Sequence, residues 1–159
     1  MEWKQRTLCF TGHRNLPQQE RQRIAAKLEQ LLRKKIEEGY CCFAAGGALG
    51  FDTLAAQTVL RLREEYPQIR LQLILPFRGQ EAKWQQEDRL LYRSIMAQAD
   101  VVDFLLEGYI NGCYEMRNHA LVDCSSACIC YLTHPIRSGT AQTVRYAQKK
   151  GLPIYNIAD

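Results

Sequence analysis

Short apolar runs alternate with amphipathic segments along the whole chain, and this alternation restricts the fold more than any single motif does. The apolar runs predict β-strands at residues 7–11, 40–45, 71–75, 101–105, 127–132 and 154–157. Helical spacing of apolar residues, with Gly or Pro at the helix ends, predicts helices at about 18–38, 51–66, 81–99, 112–122 and 139–150. Because strands this apolar are buried on both faces, we expect helices on each side of the sheet. The predicted fold class is α/β, a Rossmann-like three-layer α/β/α sandwich with a mostly parallel sheet of about six strands.

Length and composition favour one globular domain. The chain has 159 residues, 47% of them hydrophobic, and no linker or low-complexity tract, so we expect a single domain over residues 1–159. No apolar run approaches the ~18 residues of a membrane helix, and the first residues do not resemble a secretory signal. We therefore expect a cytoplasmic protein with no membrane partner. A net charge of +4 suits anionic ligands but is small for a nucleic-acid surface.

The cysteines are numerous, but their spacing is not that of a metal site. The chain has seven of them, with no CxxC pair and no zinc-type Cys/His pattern. Cys41, Cys42, Cys128 and Cys130 lie in predicted strands, where a free cysteine commonly serves as a small core residue. The sequence therefore predicts no metal site.

Residues 43–52 end the second predicted strand with a glycine-rich turn and open the next helix. Gly46, Gly47 and Gly50 carry no side chain, so a ligand could approach the backbone closely. A helix that begins there directs free N–H groups and the positive end of its dipole at one point, which suits a phosphate. The alternative is a tight turn whose glycines only let the helix and the strand pack.

Polar and glycine residues also follow the other strands, and the carboxyl ends of parallel strands share one edge of a sheet. The residues expected at this edge, besides the glycine turn, are Thr11, Gly12, His13, Arg14, Arg78, Gln80, His134, Arg137, Ser138, Gly139 and Thr140. Three arginines and the N-termini of two helices are thus expected at this edge of the sheet, and together they predict a site for a phosphate-bearing ligand. The P-loop and the GxGxxG signature are both absent, and no acid ends the second strand to hold a ribose. An NAD-dependent dehydrogenase is therefore disfavoured.

Six segments together resemble one protein family. They are residues 11–14, 46–52, 80–84, 92–100, 116–125 and 138–140. In this order they are similar to the YpsA-like proteins, a bacterial branch of the SLOG superfamily. That superfamily also contains the DNA-processing protein DprA (Smf) and the LOG phosphoribohydrolases. The resemblance covers nearly the whole chain.

The resemblance implies that a nucleotide or nucleotide-derived ligand binds at the carboxyl-end edge, and the sequence identifies no certain cofactor beyond it. By the LOG pattern, the residues around a ribose 5′-phosphate would be Gly46, Gly47, Gly50, Arg117, Gly139 and Thr140. Asn118 and Ser138 belong to the same motifs. Trp84 would stack on a base or pack in the core, and His13 would donate to the ligand or serve as a structural histidine. Relatives in the superfamily often form dimers, so the resemblance also implies a homodimer.

One departure from the family pattern bears on activity. LOG enzymes carry a glutamate in the motif Pro-Gly-Gly-x-Gly-Thr-x-x-Glu, and this glutamate serves N-glycosidic cleavage; here Thr143 stands at that position. Cleavage through an oxocarbenium-like state needs a nearby carboxylate, which threonine does not supply. Asp52 is the best remaining acid, although an acid there also complements a helix N-terminus. Asp88 and Asp123 qualify only if the fold brings them to the same edge.

Three functions follow as hypotheses. The favoured one is a sensor or regulatory domain that binds a nucleotide-derived sugar phosphate without rapid turnover. The second is a nucleoside 5′-monophosphate N-glycosidase, similar to the phosphoribohydrolases, that uses Asp52 or another acid. The third is DprA-like binding of single-stranded DNA, which the modest charge and the pocket-like set of residues disfavour. Enzymatic activity and the identity of the ligand stay open at this point.

Overall fold

The computed structural model of the protein describes residues 3–133 and 137–159. In chain order its elements are β1 (Thr7–Gly12), α1 (Arg21–Glu37), β2 (Cys42–Ala45), α2 (Phe51–Glu65), β3 (Arg70–Phe77), α3 (Gln86–Gln98), β4 (Val101–Leu106), α4 (Cys113–Asp123), β5 (Ala127–Tyr131), α5 (Gly139–Lys149) and β6 (Ile154–Asn156). Short 3₁₀ turns occupy Trp3–Arg6 and Gln18–Glu20. The strands form one six-stranded sheet in the order β4-β3-β2-β1-β5-β6, and every neighbouring pair is parallel. The predicted α/β Rossmann-like fold is confirmed.

The strand order fixes which face of the sheet each helix covers. The chain moves outward from β1 to β4 in one direction, then returns to the other side of β1 for β5 and β6. Right-handed crossovers therefore place α1, α2 and α3 on one face and α4 and α5 on the opposite face. Helix contacts agree with this, since α2 packs on α1 and α3 while α4 packs on α5. The reversal of direction opens a crevice between the carboxyl ends of β1 and β5, where ligands bind in folds of this type.

Each face of the sheet has its own hydrophobic core. Below α1 and α2, Phe10 and Phe43 of the sheet pack with Leu28, Leu32 and Phe51 of the helices. Below α4 and α5, the smaller side chains of Cys9, Ala44 and Cys128 pack with Leu121 and Val144. Small residues on the second face allow α4 and α5 to approach the sheet closely.

Three of the four cysteines that the sequence placed in the core are buried in strands, while Cys41 lies just before β2 and is not a core residue. Cys42, Cys128 and Cys130 are buried, Cys41 is half-buried, and all seven thiols in the chain are free. Burial raises the pKa of Cys130 to about 12, so this thiol stays protonated at neutral pH.

Several element boundaries differ from the predicted ones for local reasons. β2 begins at Cys42 and not at residue 40, because the Tyr40 amide donates to the Lys35 carbonyl at the end of α1. α3 begins at Gln86, because the preceding residues form turns in which the Ala82 amide donates to the Gly79 carbonyl. Within the described residues, none of the helices combines the length and the apolar character needed to cross a membrane.

Candidate functional site

A cavity of about 360 Å³ opens at the carboxyl ends of the central strands. Its lining residues are Phe10, Thr11, Gly12, His13, Arg14, Ala48, Asp52, Gln80, Trp84, Tyr114, Arg117, Asn118, Leu121, Ser138, Gly139 and Thr140. They come from the end of β1, the starts of α2 and α5, the turn before α3 and one face of α4. Of the described residues that the sequence placed at this site, those outside the lining are Gly46, Gly47, Gly50, Arg78 and Arg137.

Arg117 is a buried cation in the wall of the cavity, with an exposed fraction of 6%. Its Nη1 donates to the Gly46 carbonyl at 2.5 Å, and its Nε donates to Oδ1 of Asn118 at 2.7 Å. No carboxylate of the described residues lies within 4 Å of the guanidinium. Burial lowers the pKa of Arg117, and the charge of Asp52 partly opposes that shift. The result is a fixed positive charge that forms no contact ion pair within this part of the chain.

Asp52 is the buried acid of the same cavity. It lies in the first turn of α2 with an exposed fraction of 6%, and its Oδ2 accepts a hydrogen bond from the Ala48 amide at 3.2 Å. Burial raises the pKa of Asp52 to about 6, although Arg117 and the amides of Ala48 and Gly46 favour the charged form. The carboxyl therefore titrates close to neutral pH.

The start of α5 offers main-chain donors. Ser138 caps this helix, since its Oγ accepts from the Ala141 amide at 3.0 Å and its carbonyl accepts from the Gln142 amide. The first amides of a helix have no intrahelical acceptor, and those of Gly139 and Thr140 bond to no acceptor within residues 3–133 and 137–159. They lie at the positive end of the helix dipole, which favours an anion.

The glycine turn before α2 is closed by its own neighbours. A Cβ on Gly46 would lie 2.7 Å from Cδ of Arg117, and one on Gly47 would lie 2.4 Å from a methyl carbon of Leu75. A Cβ on Gly50 would lie 2.1 Å from the Arg14 carbonyl oxygen. These glycines let the turn pack closely against α4, β3 and the loop after β1, while Ala48 is the member of the turn that lines the cavity.

Gln80 and Trp84 reach the cavity from the turn between β3 and α3. Nε2 of Gln80 donates to the Tyr92 hydroxyl at 3.1 Å and lies 3.4 Å from the Gly47 carbonyl oxygen. Burial raises the pKa of Tyr92 to about 12, so its hydroxyl stays protonated. The Trp84 ring packs edge-to-face on Tyr92 with 5.2 Å between ring centroids, and it also lines the cavity. Trp84 thus combines a core contact with a face available to a ligand.

His13 is tied to the polypeptide by its imidazole. Its Nε2 accepts a hydrogen bond from the Thr133 amide at 3.0 Å, and its ring packs edge-to-face on Tyr131. Because Nε2 is an acceptor in this arrangement, the neutral ring carries its proton on Nδ1. These contacts favour the structural alternative for His13, although the residue also lines the cavity.

Other charged residues lie away from the cavity. Arg78, expected at the edge of the sheet, pairs with Glu107 at 2.9 Å and stacks on the Phe104 ring. Asp88 and Asp123 do not line the cavity, and the Asp123 carboxylate accepts from the Tyr146 hydroxyl. Thr143, at the position of the LOG glutamate, also lies outside it, and its hydroxyl donates to the Gly139 carbonyl at 2.7 Å. His134 lies outside the described residues.

Tyr114 and Leu121 are cavity residues that were not predicted from the sequence. With Arg117 and Asn118 they occupy positions i, i+3, i+4 and i+7 of α4, which form one face of a helix. Since Arg117 was a predicted site residue, this helical spacing could have predicted Tyr114 and Leu121 from the sequence. Phe10 had none, because its ring belongs to the buried strand β1.

Comparison with known proteins places the chain in a family. A model of the YpsA family, described as the YspA SLOG family, matches residues 8–158. A UPF0398 protein of Bacillus velezensis is 31% identical over 140 residues, which cover 84% of this chain and 77% of that protein. Shorter matches to further UPF0398 proteins span 44% to 50% of their lengths.

Two solved structures share the fold. DNA processing protein A from Helicobacter pylori, described for its single-stranded DNA binding mode, aligns with a TM-score of 0.63 and 18% identity. That alignment covers 93% of this chain and 63% of the DprA chain. The structural-genomics target TM1055 aligns with a TM-score of 0.59 and 19% identity, over 97% of this chain and 78% of its own. The family match, which extends over almost the full length, shows that this chain belongs to the YpsA family of the SLOG superfamily.

Proposed function

We propose that the cavity binds a nucleotide-derived ligand through its sugar-phosphate group and that the protein acts as a sensor or regulatory domain for that ligand. The observation that carries this proposal is the buried guanidinium of Arg117, which lines the cavity and has no carboxylate of the described residues within 4 Å. A buried charge without a contact counter-ion costs free energy even when neutral groups bond to it. A bound anion would offset that cost, so an anionic group is the ligand chemistry that this cavity favours.

The surroundings of Arg117 suit a phosphate attached to a sugar and a base. The amides of Gly139 and Thr140 at the start of α5 supply main-chain donors, and Arg14 adds a second cation at the cavity. The volume of 360 Å³ lies within the roughly 300–1,000 Å³ of small-molecule sites. Trp84 and Tyr114 add aromatic rings to the lining, on which a base could stack.

Calorimetric titration with ribose 5-phosphate and the nucleoside 5′-monophosphates tests the proposal. We expect Arg117→Gln to weaken binding by about 10–100-fold, because hydrogen bonds to charged groups contribute about 1.5–3 kcal/mol. Arg78→Gln is the matched control, since it removes a cation that lies outside the cavity and pairs with Glu107. The affinity of Arg78→Gln for these compounds should stay within about twofold of the wild-type affinity. If the wild-type protein binds none of these compounds, the proposal is wrong.

N-glycosidic hydrolysis is a second candidate, and one observation favours it. Asp52 is a buried acid at the cavity whose pKa is raised to about 6, so near neutral pH it can exchange a proton with a departing base. Chromatography of nucleoside 5′-monophosphates after incubation with the protein would reveal the free base. Asp52→Ala should abolish the release, while Asp88→Asn, which alters an acid outside the cavity, should not. Intact nucleotides after prolonged incubation would reject this candidate.

Single-stranded DNA binding is the third candidate, because the fold is shared with a DprA whose single-stranded DNA binding is described. Binding along a DNA backbone neutralises many phosphates, so the affinity would fall steeply between about 50 and 200 mM salt. Fluorescence anisotropy of a labelled oligonucleotide measures this slope. Weak binding with a shallow slope would leave the small-molecule site as the better account.

A further inference from the structure

A carboxylate in a cavity that we propose binds an anion requires its own explanation. Asp52 lies in the first turn of α2, is almost fully buried and lines the cavity together with Arg117. The amides of Ala48 and Gly46 stabilise its charged form. An ionised carboxylate has about four acceptor positions, so the two amides leave part of its capacity unused.

The protein supplies no further donor to this carboxylate within residues 3–133 and 137–159. No side chain in those ranges donates a hydrogen bond to Asp52, and Arg117 acts on it through its charge without forming a contact ion pair. Buried acceptors are normally satisfied by protein, water or ligand. A donor inside the cavity would fill the acceptor capacity that the amides of Ala48 and Gly46 leave on Asp52.

The proposed phosphate does not provide that donor. A phosphate monoester near neutral pH is an acceptor with negative charge, so it is repelled by Asp52 and attracted to Arg117 and the start of α5. The opposite charges of the cavity thus suit a ligand with two different ends. One end is an anion, and the other carries hydroxyl or amino hydrogens.

We infer that Asp52 accepts a hydrogen bond from a ring hydroxyl of the ligand's sugar, so that the site selects ribose phosphates over analogues without ring hydroxyls. This inference rests on the proposed binding of a sugar phosphate. A site built to bond a hydroxyl rejects the analogue that lacks it, because the acceptor position that the hydroxyl would fill is then left without a donor. Asp52 is on this view a specificity-determining residue. It also disfavours DNA, whose sugars lack the 2′-hydroxyl.

The test compares each nucleoside 5′-monophosphate with its 2′,3′-dideoxy counterpart by calorimetric titration. The wild-type protein should bind the hydroxylated form at least about tenfold more tightly, because a hydrogen bond to a charged group contributes at least that much. Asp52→Ala should reduce this ratio to about twofold or less. Asp88→Asn is the control with the same loss of an aspartate charge outside the cavity, and it should keep the wild-type ratio.

The outcomes separate this inference from the proposed function. Equal wild-type affinity for hydroxylated and dideoxy nucleotides would overturn the role of Asp52 and leave sugar-phosphate binding intact. An unchanged ratio in Asp52→Ala would also overturn it, because another group would then contact the hydroxyl. No binding of any nucleotide to the wild type would overturn the proposed function itself. If Asp52→Ala does not fold, Asp52→Asn should give an intermediate ratio, since a neutral acceptor bonds about half as strongly.

Discussion

Two glycine-containing turns open helices at the same edge of the sheet, yet the structure uses them differently. In the turn at residues 46–50, the Ala48 amide is bonded to Asp52, the Gly46 carbonyl is bonded to Arg117, and Gly50 lies against the Arg14 backbone. In the turn at residues 138–140, the only contact recorded among residues 3–133 and 137–159 for a methyl group added at Gly139 is Nδ2 of Asn118 at 4.0 Å. Glycine is therefore required for packing in the first turn and leaves room for a ligand in the second.

The two turns also differ in the anion that their main-chain amides bind. At the first turn, an anion of the protein itself, Asp52, already accepts from the amides of Ala48 and Gly46, which precede α2. At the second turn, Gly139 and Thr140 line the same cavity as Arg117. Both turns thus offer main-chain amides to an anion, but in the first turn the protein's own Asp52 is that anion and in the second it would be supplied from outside.

The largest expected effect comes from filling the first turn. Gly50→Ala places a Cβ 2.1 Å from the Arg14 carbonyl oxygen, at a residue with φ of +83°. Since overpacking and a positive φ each cost about 1–3 kcal/mol, we expect the free energy of unfolding to fall by about 4 kcal/mol. Urea denaturation followed by circular dichroism measures the change.

Gly79→Ala is the control for Gly50→Ala. Gly79 has a similar φ of +88°, but no atom of the described part of the chain lies within 4 Å of the added methyl group, so its substitution carries only the conformational cost of about 1 kcal/mol. Equal losses in the two variants would show that the turn at residues 46–50 is not a packing junction.

The second prediction concerns Asp52, the carboxylate that accepts from the amides of the turn at residues 46–50. Burial raises the pKa of Asp52 from its ordinary 3.8 to about 6, so the folded protein holds this proton more tightly than the unfolded chain. The resulting stabilisation is complete below pH about 4 and is lost as the pH rises past about 6, which amounts to about 3 kcal/mol. Asp52→Asn lacks this titration. The unfolding free energy of the wild type, measured relative to that of Asp52→Asn, should therefore decrease between pH 4 and pH 7.

Urea titrations at several pH values measure that difference. Subtracting the values of Asp52→Asn removes the contributions of all other titratable groups. A difference that is constant with pH would show that Asp52 ionises as freely as in the unfolded chain. The first turn would then not hold a buried carboxylate, and its contrast with the second turn would weaken.

The general architecture followed from the sequence because it depends on local patterns. Alternating apolar runs and helical spacing predicted the parallel sheet and its helices, and glycine with polar residues after the strands predicted the edge where the cavity lies. The roles of individual residues depend on contacts that are distant in the chain. Arg78 was expected at the site, but its partner Glu107 is 29 positions away, and no local pattern links them.

The role of the glycine turn at residues 46–50 also depends on contacts that are distant in the chain. Its sequence is compatible with a phosphate cradle and with a packing junction, and the deciding neighbours are Arg14, Leu75 and Arg117 on other elements. The start of α5 was predictable from Ser138, a capping residue, followed by Gly139 and Thr140. What the sequence did not reveal is that Asp52 accepts from the amides of its own turn.

The smallest expected effect on stability comes from the second turn, and it sharpens the comparison most. Gly139→Val adds a side chain whose Cβ would meet no atom of the described residues closer than 4.0 Å, so the free energy of unfolding should change by no more than about 0.5 kcal/mol. The same side chain projects where a phosphate would meet the Gly139 and Thr140 amides, so affinity for ribose 5-phosphate should fall at least about tenfold. Gln148→Val, an exposed position near the other end of α5, should leave both quantities unchanged. If Gly139→Val keeps its affinity, the anion does not bind at the start of α5, and the two turns differ only in how tightly they pack.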